Sequence, residues 1–183
     1  MIDLVEVIAE LEGEPELHAA RILVLLSAFS GTGQNDSVEG LTKLAKLDFL
    51  LRYPVMLQRA LEAKGRSTRA VQLEEHERHS VESAMVRYRF GPWDHRYREF
   101  LNILIGKALV RVSVEGRTVV IGLTEHGHAV ASELCESREF DDYARRSSLL
   151  KRHFDVGATT LMRFIYETFP EVVSLRSNER IPT

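Results

Sequence analysis

Two closely spaced histidines are the nearest that this chain comes to a metal-binding or catalytic motif. Residues 76–79 read H-E-R-H, which resembles the zinc-protease motif H-E-x-x-H but is one residue short. His76 and His79 share one face if this segment is helical, yet the sequence offers no evident third ligand. A second pair, His126 and His128, stands at the start of a predicted helix, where hydration or a helix-end hydrogen bond is the more ordinary role. We therefore expect no metal site.

The other side chains able to do covalent or acid–base chemistry also lack the context of an active site. The single cysteine, Cys135, follows an apolar residue on a predicted helix, a position typical of a small core side chain. Asp141 and Asp142 are adjacent, so on a helix their carboxylates point about 100° apart. The glycines at positions 31 and 33 follow a helix instead of a strand, and no Walker motif occurs. We expect a protein that is not an enzyme and that binds no cofactor.

Basic residues are concentrated in the segment 85–117. The chain of 183 residues carries 24 Lys and Arg against 27 Asp and Glu, a formal net charge of −3. The segment holds seven cations against three acids, a local charge of +4. These cations predict a surface for DNA phosphates or for an acidic protein partner, unless some of them pair with Glu74, Glu75 or Glu77. They are Arg87, Arg89, Arg96, Arg98, Lys107, Arg111 and Arg117.

A strand and a helix are predicted to position most of these cations. Over 84–90, apolar residues alternate with arginines, which is typical of a half-buried strand. We expect this strand to be the third strand of a small sheet. Gly91-Pro92 is predicted to turn the chain, and Asp94 to cap a helix over 94–106.

After this helix, the sequence predicts a hairpin followed by further helices. Two β-rich runs over 109–123 flank Glu115-Gly116-Arg117, which supplies the glycine that a hairpin turn needs. Thr124 is predicted to cap the next helix. The predicted helices cover 125–137, 140–151 and 159–169.

In the first half of the chain, the sequence predicts one buried core helix and further helices that pack against it. Residues 17–29 are apolar nearly all round, which indicates a central core helix. The acidic segment 1–16 precedes it, and the stretch 30–40, rich in Gly, Asn and Asp, is predicted to be a loop. A further helix is predicted over 41–51, with Asp48 on its outward side.

Four residues are candidates for a protein interface. Lys43 and Lys46 are predicted to point outward from the helix after the loop. The only tryptophan, Trp93, stands at a turn close to Tyr97, and aromatic residues concentrate binding energy in protein interfaces. A tryptophan at a turn can equally cover the core, and the sequence leaves both roles open.

The predicted elements indicate a mainly α fold with a small antiparallel β-sheet (α+β). The segment GKALVRVSVEGRTVVIGLTEHGHAVASEL resembles the end of a winged-helix domain, where a helix leads into a two-stranded wing and the chain returns as a helix. We therefore expect one winged-helix-like domain over 17–170 and a polar tail over 171–183, frayed from Ser177 onward. No apolar run reaches membrane-spanning length and the start of the chain is acidic, so we expect a cytoplasmic protein.

Three stretches resemble a known family. They are EGLTKLAKLDFLLRYP (39–54), MVRYRFGPWDHRYREFLNILIGKALV (85–110) and LTEHGHAVASEL (123–134). They are similar to the middle component of ABC-three-component systems, the small subunit of Lamassu-type bacterial defence complexes. The resemblance spans most of 17–170. It implies a non-enzymatic adaptor that joins or restrains an SMC-like coiled-coil ATPase and an effector, often a nuclease.

The main alternative is a winged-helix transcription regulator. Such a protein needs its basic helix and wing to face DNA, and it usually binds as a dimer. The net negative charge and the weakly basic helix over 41–51 weigh mildly against it.

Overall fold

The structure, a computed structural model, describes residues 14–30, 37–78, 85–88 and 91–182, which form a mainly helical fold. The helices are α1 (Pro15–Phe29), α2 (Leu41–Arg52), α3 (Pro54–Ala63), α4 (Tyr97–Gly106), α5 (Glu125–Glu136), α6 (Asp141–Phe154), α7 (Ala158–Thr168) and α8 (Pro170–Ser174). The strands are β1 (Val38–Glu39), β2 (Val86–Tyr88), β3 (Gly91–Trp93), β4 (Val110–Glu115) and β5 (Thr118–Leu123). The α+β prediction is confirmed. None of the helices described is long and apolar enough to cross a membrane.

Helix α1 lies at the centre of the fold, as its apolar sequence predicts. It contacts α2, α4, α5, α6 and β5, so neighbours cover most of its circumference. The run from Ile22 to Leu26 is fully buried. Pro15 stands in the first turn, where a missing backbone N–H costs nothing. Most of the predicted acidic segment before it, residues 1–13, lies outside the part of the chain that the structure describes.

The three-stranded sheet differs from the prediction in its third strand. Its order is β1-β5-β4 and its neighbours are antiparallel. The third strand is Val38–Glu39, from the stretch predicted to be a loop, and not the segment 84–90. Val38 is buried and pairs with Ile121. Two residues are too few to produce a periodicity in sequence, which is why the strand was not predicted.

Strand β2 forms a separate two-stranded sheet with β3. The Gly91-Pro92 dipeptide, predicted to turn the chain, lies within β3, and residues 89 and 90 between the strands are outside the described part. The C-terminal segment also packs here. The backbone N–H of Ile181 donates to the Met85 carbonyl at 2.9 Å, and the Ile181 side chain is buried. The predicted fraying after Ser177 is therefore wrong for this segment.

Helix α2 is buried on every side, which contradicts its predicted outward face. The exposed fractions of Lys43, Lys46 and Asp48 are 7%, 1% and 0%. The helix contacts α1, α3, α6, α7, β1 and β3, so no side faces solvent. The sequence prediction failed because it assigned charged side chains to water, whereas these are taken up by partners from other elements.

The hairpin of β4 and β5 is joined to α5 by a tight approach at Gly127. Thr124 caps α5 as predicted, since its Oγ1 accepts a 2.9 Å hydrogen bond from the Gly127 N–H. A Cβ at Gly127 would stand 1.9 Å from the Leu109 carbonyl oxygen, so only glycine fits. Helix α4 begins at Tyr97, three residues later than predicted, because Asp94 forms a turn before it.

Candidate partner-binding site

A buried ionic network, here called the Asp48 network, joins α1, α2 and the start of α4. Its members are charged or hydrogen-bonding side chains brought from separate segments of the chain. They are His18, Arg21, Asp48, Arg52, Asp94, Arg96 and Tyr97. Sequence reasoning did not predict this network; the charged positions within the apolar helices α1 and α2 were the signal that could have revealed it.

Asp48 is the centre of the network. Its Oδ1 accepts a 2.8 Å hydrogen bond from Arg21 Nε, and its Oδ2 accepts one of 2.8 Å from the Tyr97 hydroxyl. Arg52 Nη2 lies 3.4 Å from the same Oδ2. All these side chains are buried. The His18 ring extends the network beyond Arg21, because its Nδ1 lies 2.7 Å from Arg21 Nη1.

Asp94 is the second carboxylate of the network. Its Oδ2 lies 2.9 Å from Arg52 Nη1 and 2.9 Å from Arg96 Nη2. Its Oδ1 accepts the Arg96 backbone N–H at 3.0 Å, which closes a turn. Asp94 was predicted to cap the helix, and instead it fixes the turn between β3 and α4 to the buried Arg52.

The network shifts the pKa values of its acidic groups. Burial alone would raise the pKa of Asp48, but Arg21 and Arg52, with hydrogen bonds from Arg21 and Tyr97, lower it below 3.8. At Asp94 burial is likewise outweighed by Arg96 and Arg52, and the pKa of that carboxyl is lowered. Burial and the neighbouring Asp48 charge raise the pKa of Tyr97 well above 10.0. Both carboxylates are therefore ionised and Tyr97 is a neutral donor at neutral pH.

A pocket of about 270 Å³, here called the Lys46 pocket, opens between α2 and the hairpin of β2 and β3. The Asp48 network sets one wall of it, because Asp94 directly follows Trp93. The Trp93 ring is also packed edge-to-face against Tyr97, at 5.2 Å between centroids. The lining residues include Leu41, Ala45 and Lys46 from α2, and Tyr88, Pro92 and Trp93 from the hairpin.

Lys46 places a buried cation in this pocket. Its Nζ donates a hydrogen bond to the Thr42 carbonyl of its own helix, at 3.4 Å. Burial lowers its pKa to about 8. Gly91 packs over it with φ of +113°, and a Cβ there would stand 3.4 Å from the Tyr166 ring and 3.8 Å from Lys46 Nζ. A glycine at this position thus admits both the backbone conformation and the lysine.

The four predicted interface residues separate in the structure. Lys46 and Trp93 meet at the Lys46 pocket, where Trp93 is half-buried. Lys43 is buried and pairs with Asp155 at 2.8 Å. Tyr97 is buried in the Asp48 network. The predicted outward orientation of Lys43 and Lys46 is therefore wrong, because both side chains are buried. The Tyr97 side chain is likewise enclosed by the protein and is not available to a partner.

The predicted basic surface is reduced to four exposed cations among the described residues. The exposed cations are Arg98 on α4, Lys107 directly after α4, and Arg111 and Arg117 on the β4–β5 hairpin. The exposed acids Glu99 and Glu115 stand in the same segment. The surface is consequently weakly basic with mixed signs.

The other predicted cations have internal partners or are not described. Arg87 Nη1 donates to the Leu175 carbonyl at 3.0 Å, and Arg96 pairs with Asp94. Arg89 lies outside the described residues. Of the glutamates proposed to pair with Arg87 and Arg89, Glu77 instead lies 2.7 Å from Arg146.

Among the residues that the structure describes, those weighed for catalysis or metal binding form no cluster. In the described part of the chain, no three His, Cys, Asp or Glu side chains lie close enough together to hold a metal ion. His76 is exposed beside Glu74, and His79 lies outside the described residues. Asp141 and Asp142 both contact Arg145.

Strand β4 presents an exposed apolar edge. It is the last strand in the order β1-β5-β4, and every residue from Arg111 to Glu115 is exposed. Val112 is 41% exposed and Val114 69% exposed, and the two share one face of the strand. Unpaired backbone groups at a strand edge are a template for another strand, and proteins usually protect them with charges or cover.

One comparison with known proteins gives a match. The family model described as ABC-three component (ABC-3C) system Middle Component 4 matches residues 29–150, more than half of the chain. The matched region includes the Lys46 pocket, strand β4 and most of the Asp48 network, although His18 and Arg21 precede it. No curated protein and no solved structure matches the chain.

Proposed function

Because the chain belongs to the ABC-three component (ABC-3C) system Middle Component 4 family, we propose that it is a non-catalytic adaptor of a Lamassu-type defence complex. In this proposal it works in the cytoplasm and joins or restrains an SMC-like coiled-coil ATPase and an effector nuclease. The family name supports membership in a multi-component system. The resemblance of residues 39–54, 85–110 and 123–134 supports the particular partners.

The exposed edge of β4 is the observation that carries this proposal. Val112 and Val114 stand on a strand whose outer backbone groups have no neighbouring strand in the described sheet. A partner strand added here would satisfy those groups and cover the valines, which is a common mode of peptide recognition. The sequence of α4, the β4–β5 hairpin and α5, with β1 as third strand, also supports a winged-helix arrangement, a fold suited to this kind of contact.

DNA-binding regulation is the second candidate function. Four exposed cations support it: Arg98 on α4, Lys107 directly after that helix, and Arg111 and Arg117 on the hairpin. The nearby acids and the net charge of −3 favour a protein partner over phosphates.

The adaptor proposal is tested by affinity capture of the tagged chain from its native cells, with nuclease treatment to remove DNA bridges and mass spectrometry of what is recovered. We expect a large SMC-like ATPase and an effector. A chain with Val112→Lys and Val114→Lys should lose them, since two charges would be buried without partners. Ser113→Lys is the matched control, because it adds a charge to the same strand on the opposite face.

Two results would contradict the proposal. One is recovery of the chain alone, and the other is equal recovery with the wild-type and the double-lysine chain. In the first case the regulator becomes the leading function. It predicts that duplex DNA affinity falls steeply with salt, with a slope of about −0.9 for each phosphate neutralised.

A further inference from the structure

Lys46 differs from the other buried cations in the described part of the chain. Arg21 and Arg52 face Asp48, Arg146 faces Glu77 at 2.7 Å, and Lys43 faces Asp155. Lys46 has no carboxylate within 4.0 Å among the described residues, and its exposed fraction is 1%. A buried charge without a counter-charge is costly, so an anion that reached it would gain more than at a surface lysine.

The pocket around Lys46 has the shape and chemistry of a small-ligand site. Its volume of about 270 Å³ is just below the usual range of ligand pockets, about 300–1,000 Å³, and suits a body of about one aromatic ring. Leu41, Ala45 and Pro92 make its walls apolar, and the rings of Trp93 and Tyr88 stand 6.0 Å apart at its hairpin side. The contact of Trp93 with Tyr97 holds this wall in place before any ligand arrives.

We propose that the Lys46 pocket binds a small organic monocarboxylate with a flat apolar body, its carboxylate on Lys46 Nζ and its ring against Trp93. The single cation selects a single negative charge, because a phosphate dianion would leave one charge buried without a partner. The apolar walls select a ring or branched chain. This inference is independent of the adaptor proposal, since neither the strand edge nor the partner proteins enter it.

Proton uptake is a distinguishing property of this site. Burial lowers the pKa of Lys46 to about 8, and a bound carboxylate raises it again by favouring the charged ammonium. Above pH 8 the empty pocket therefore holds a partly neutral lysine, and binding takes up a proton. Affinity should fall as the pH rises above that value.

Trp93 is the only tryptophan of the chain, so its fluorescence reports directly on the pocket. We would titrate the purified full chain with benzoate, phenylacetate and indole-3-acetate, following Trp93 emission for the first two and heat for all three. The matched neutral probes are the corresponding amides. We expect saturable binding of at least one carboxylate, with the amide weaker by about tenfold or more, as expected for the loss of a charge-assisted hydrogen bond.

Two lysine variants complete the test. Lys46→Met should lose carboxylate binding while remaining folded by circular dichroism, and Lys107→Met, at an exposed lysine, should bind as the wild type does. Calorimetry at pH 8.5 in two buffers of different ionisation enthalpy should show proton uptake with the wild type and with Lys107→Met, and none with Lys46→Met.

Three outcomes would overturn the proposal. They are equal binding of acids and amides, unchanged binding by Lys46→Met, and no saturable binding of any carboxylate up to millimolar concentration. If no carboxylate bound, and if Lys46→Met also failed to capture the partner proteins that the wild type recovers, the pocket would be part of a protein contact and not a small-molecule site.

Discussion

The Tyr97 hydroxyl donates a 2.8 Å hydrogen bond to Asp48 Oδ2 and so connects the first residue of α4 to the buried helix α2. Arg21 and Arg52 reach the same carboxylate from α1 and α2. The position of α4, and with it the turn that carries Trp93, is thereby set by polar contacts inside an otherwise apolar core. Each part of this arrangement can be tested by substitution.

Removing the Asp48 carboxylate should destabilise the fold strongly. In Asp48→Ala the guanidinium groups of Arg21 and Arg52 remain buried but lose the carboxylate that pairs with them. We expect a loss of about 3–5 kcal/mol in the free energy of unfolding, measured by urea denaturation. Tyr97→Phe removes one hydrogen bond and should cost about 1–3 kcal/mol. Glu62→Ala, at an exposed residue of α3, is the control. If Asp48→Ala lost no more stability than Glu62→Ala does, Asp48 would not be the stabilising centre of the network.

The same network should make stability fall in acid. The folded pKa values of Asp48 and Asp94 lie below 3.8, their ordinary value. The unfolded chain therefore binds these protons more readily, so the stabilisation is complete well above pH 3.8 and is lost as the pH falls below it. In Asp94→Asn this contribution is missing. We expect its deficit relative to the wild type to shrink between pH 5 and pH 3 in urea denaturation.

The exposed Asp141 is the control for the acid prediction. Asp141→Asn should follow the wild-type curve within experimental error, since this carboxyl lies on the surface. A deficit of Asp94→Asn that stayed constant down to pH 3 would show that the Asp94 charge contributes nothing to folding.

Lys46→Met should stabilise the protein at neutral pH. The folded pKa of about 8 lies below the ordinary 10.5, so folding is opposed by the charged lysine at pH 7. The difference corresponds to about 3 kcal/mol. The sign follows because the unfolded chain binds more protons between these two values, and wild-type stability therefore rises with pH across them.

Comparison of the two chains over pH checks this prediction. The advantage of Lys46→Met in urea denaturation should be greatest below pH 8 and should decline between pH 8 and pH 10.5. A Met variant less stable than the wild type at every pH would mean that the lysine stem contributes more by packing than its charge costs.

Gly127→Ala should be among the most damaging small substitutions. The added methyl group would overlap the Leu109 carbonyl oxygen at 1.9 Å, and that atom belongs to rigid backbone. We expect a loss of about 2 kcal/mol or more in the free energy of unfolding, measured by thermal or urea denaturation. Gly106→Ala is the matched control. No atom lies within 4 Å of its added Cβ, and it should be neutral or slightly stabilising.

The local sequence determined the buried helix, the helix cap and the hairpin, because each of these depends on residues that are neighbours along the chain. The apolar run of 17–29 produced the buried helix α1, and Thr124 capped α5 as predicted. The β-rich runs around Gly116 produced the hairpin, because turn chemistry and alternation act over a few residues. The resemblance to the middle-component family was also present in the sequence, and the matching family model bears it out.

Only the tertiary structure decided where the charged residues lie. Asp48 and Lys46 look alike in sequence, two charged positions on one helix, and both were predicted to face water. Asp48 is buried because Arg21 from α1 and Tyr97 from α4 compensate its charge, whereas Lys46 is buried in a pocket without a described acid. The pairing of Tyr97 with Asp48 joins residues 49 positions apart, and that of Lys43 with Asp155 joins residues 112 positions apart. The free energy of burying a charge depends on such distant partners. For that reason the periodicity of one helix could not predict the Asp48 network, the Lys46 pocket or the pairing of β1 with β5.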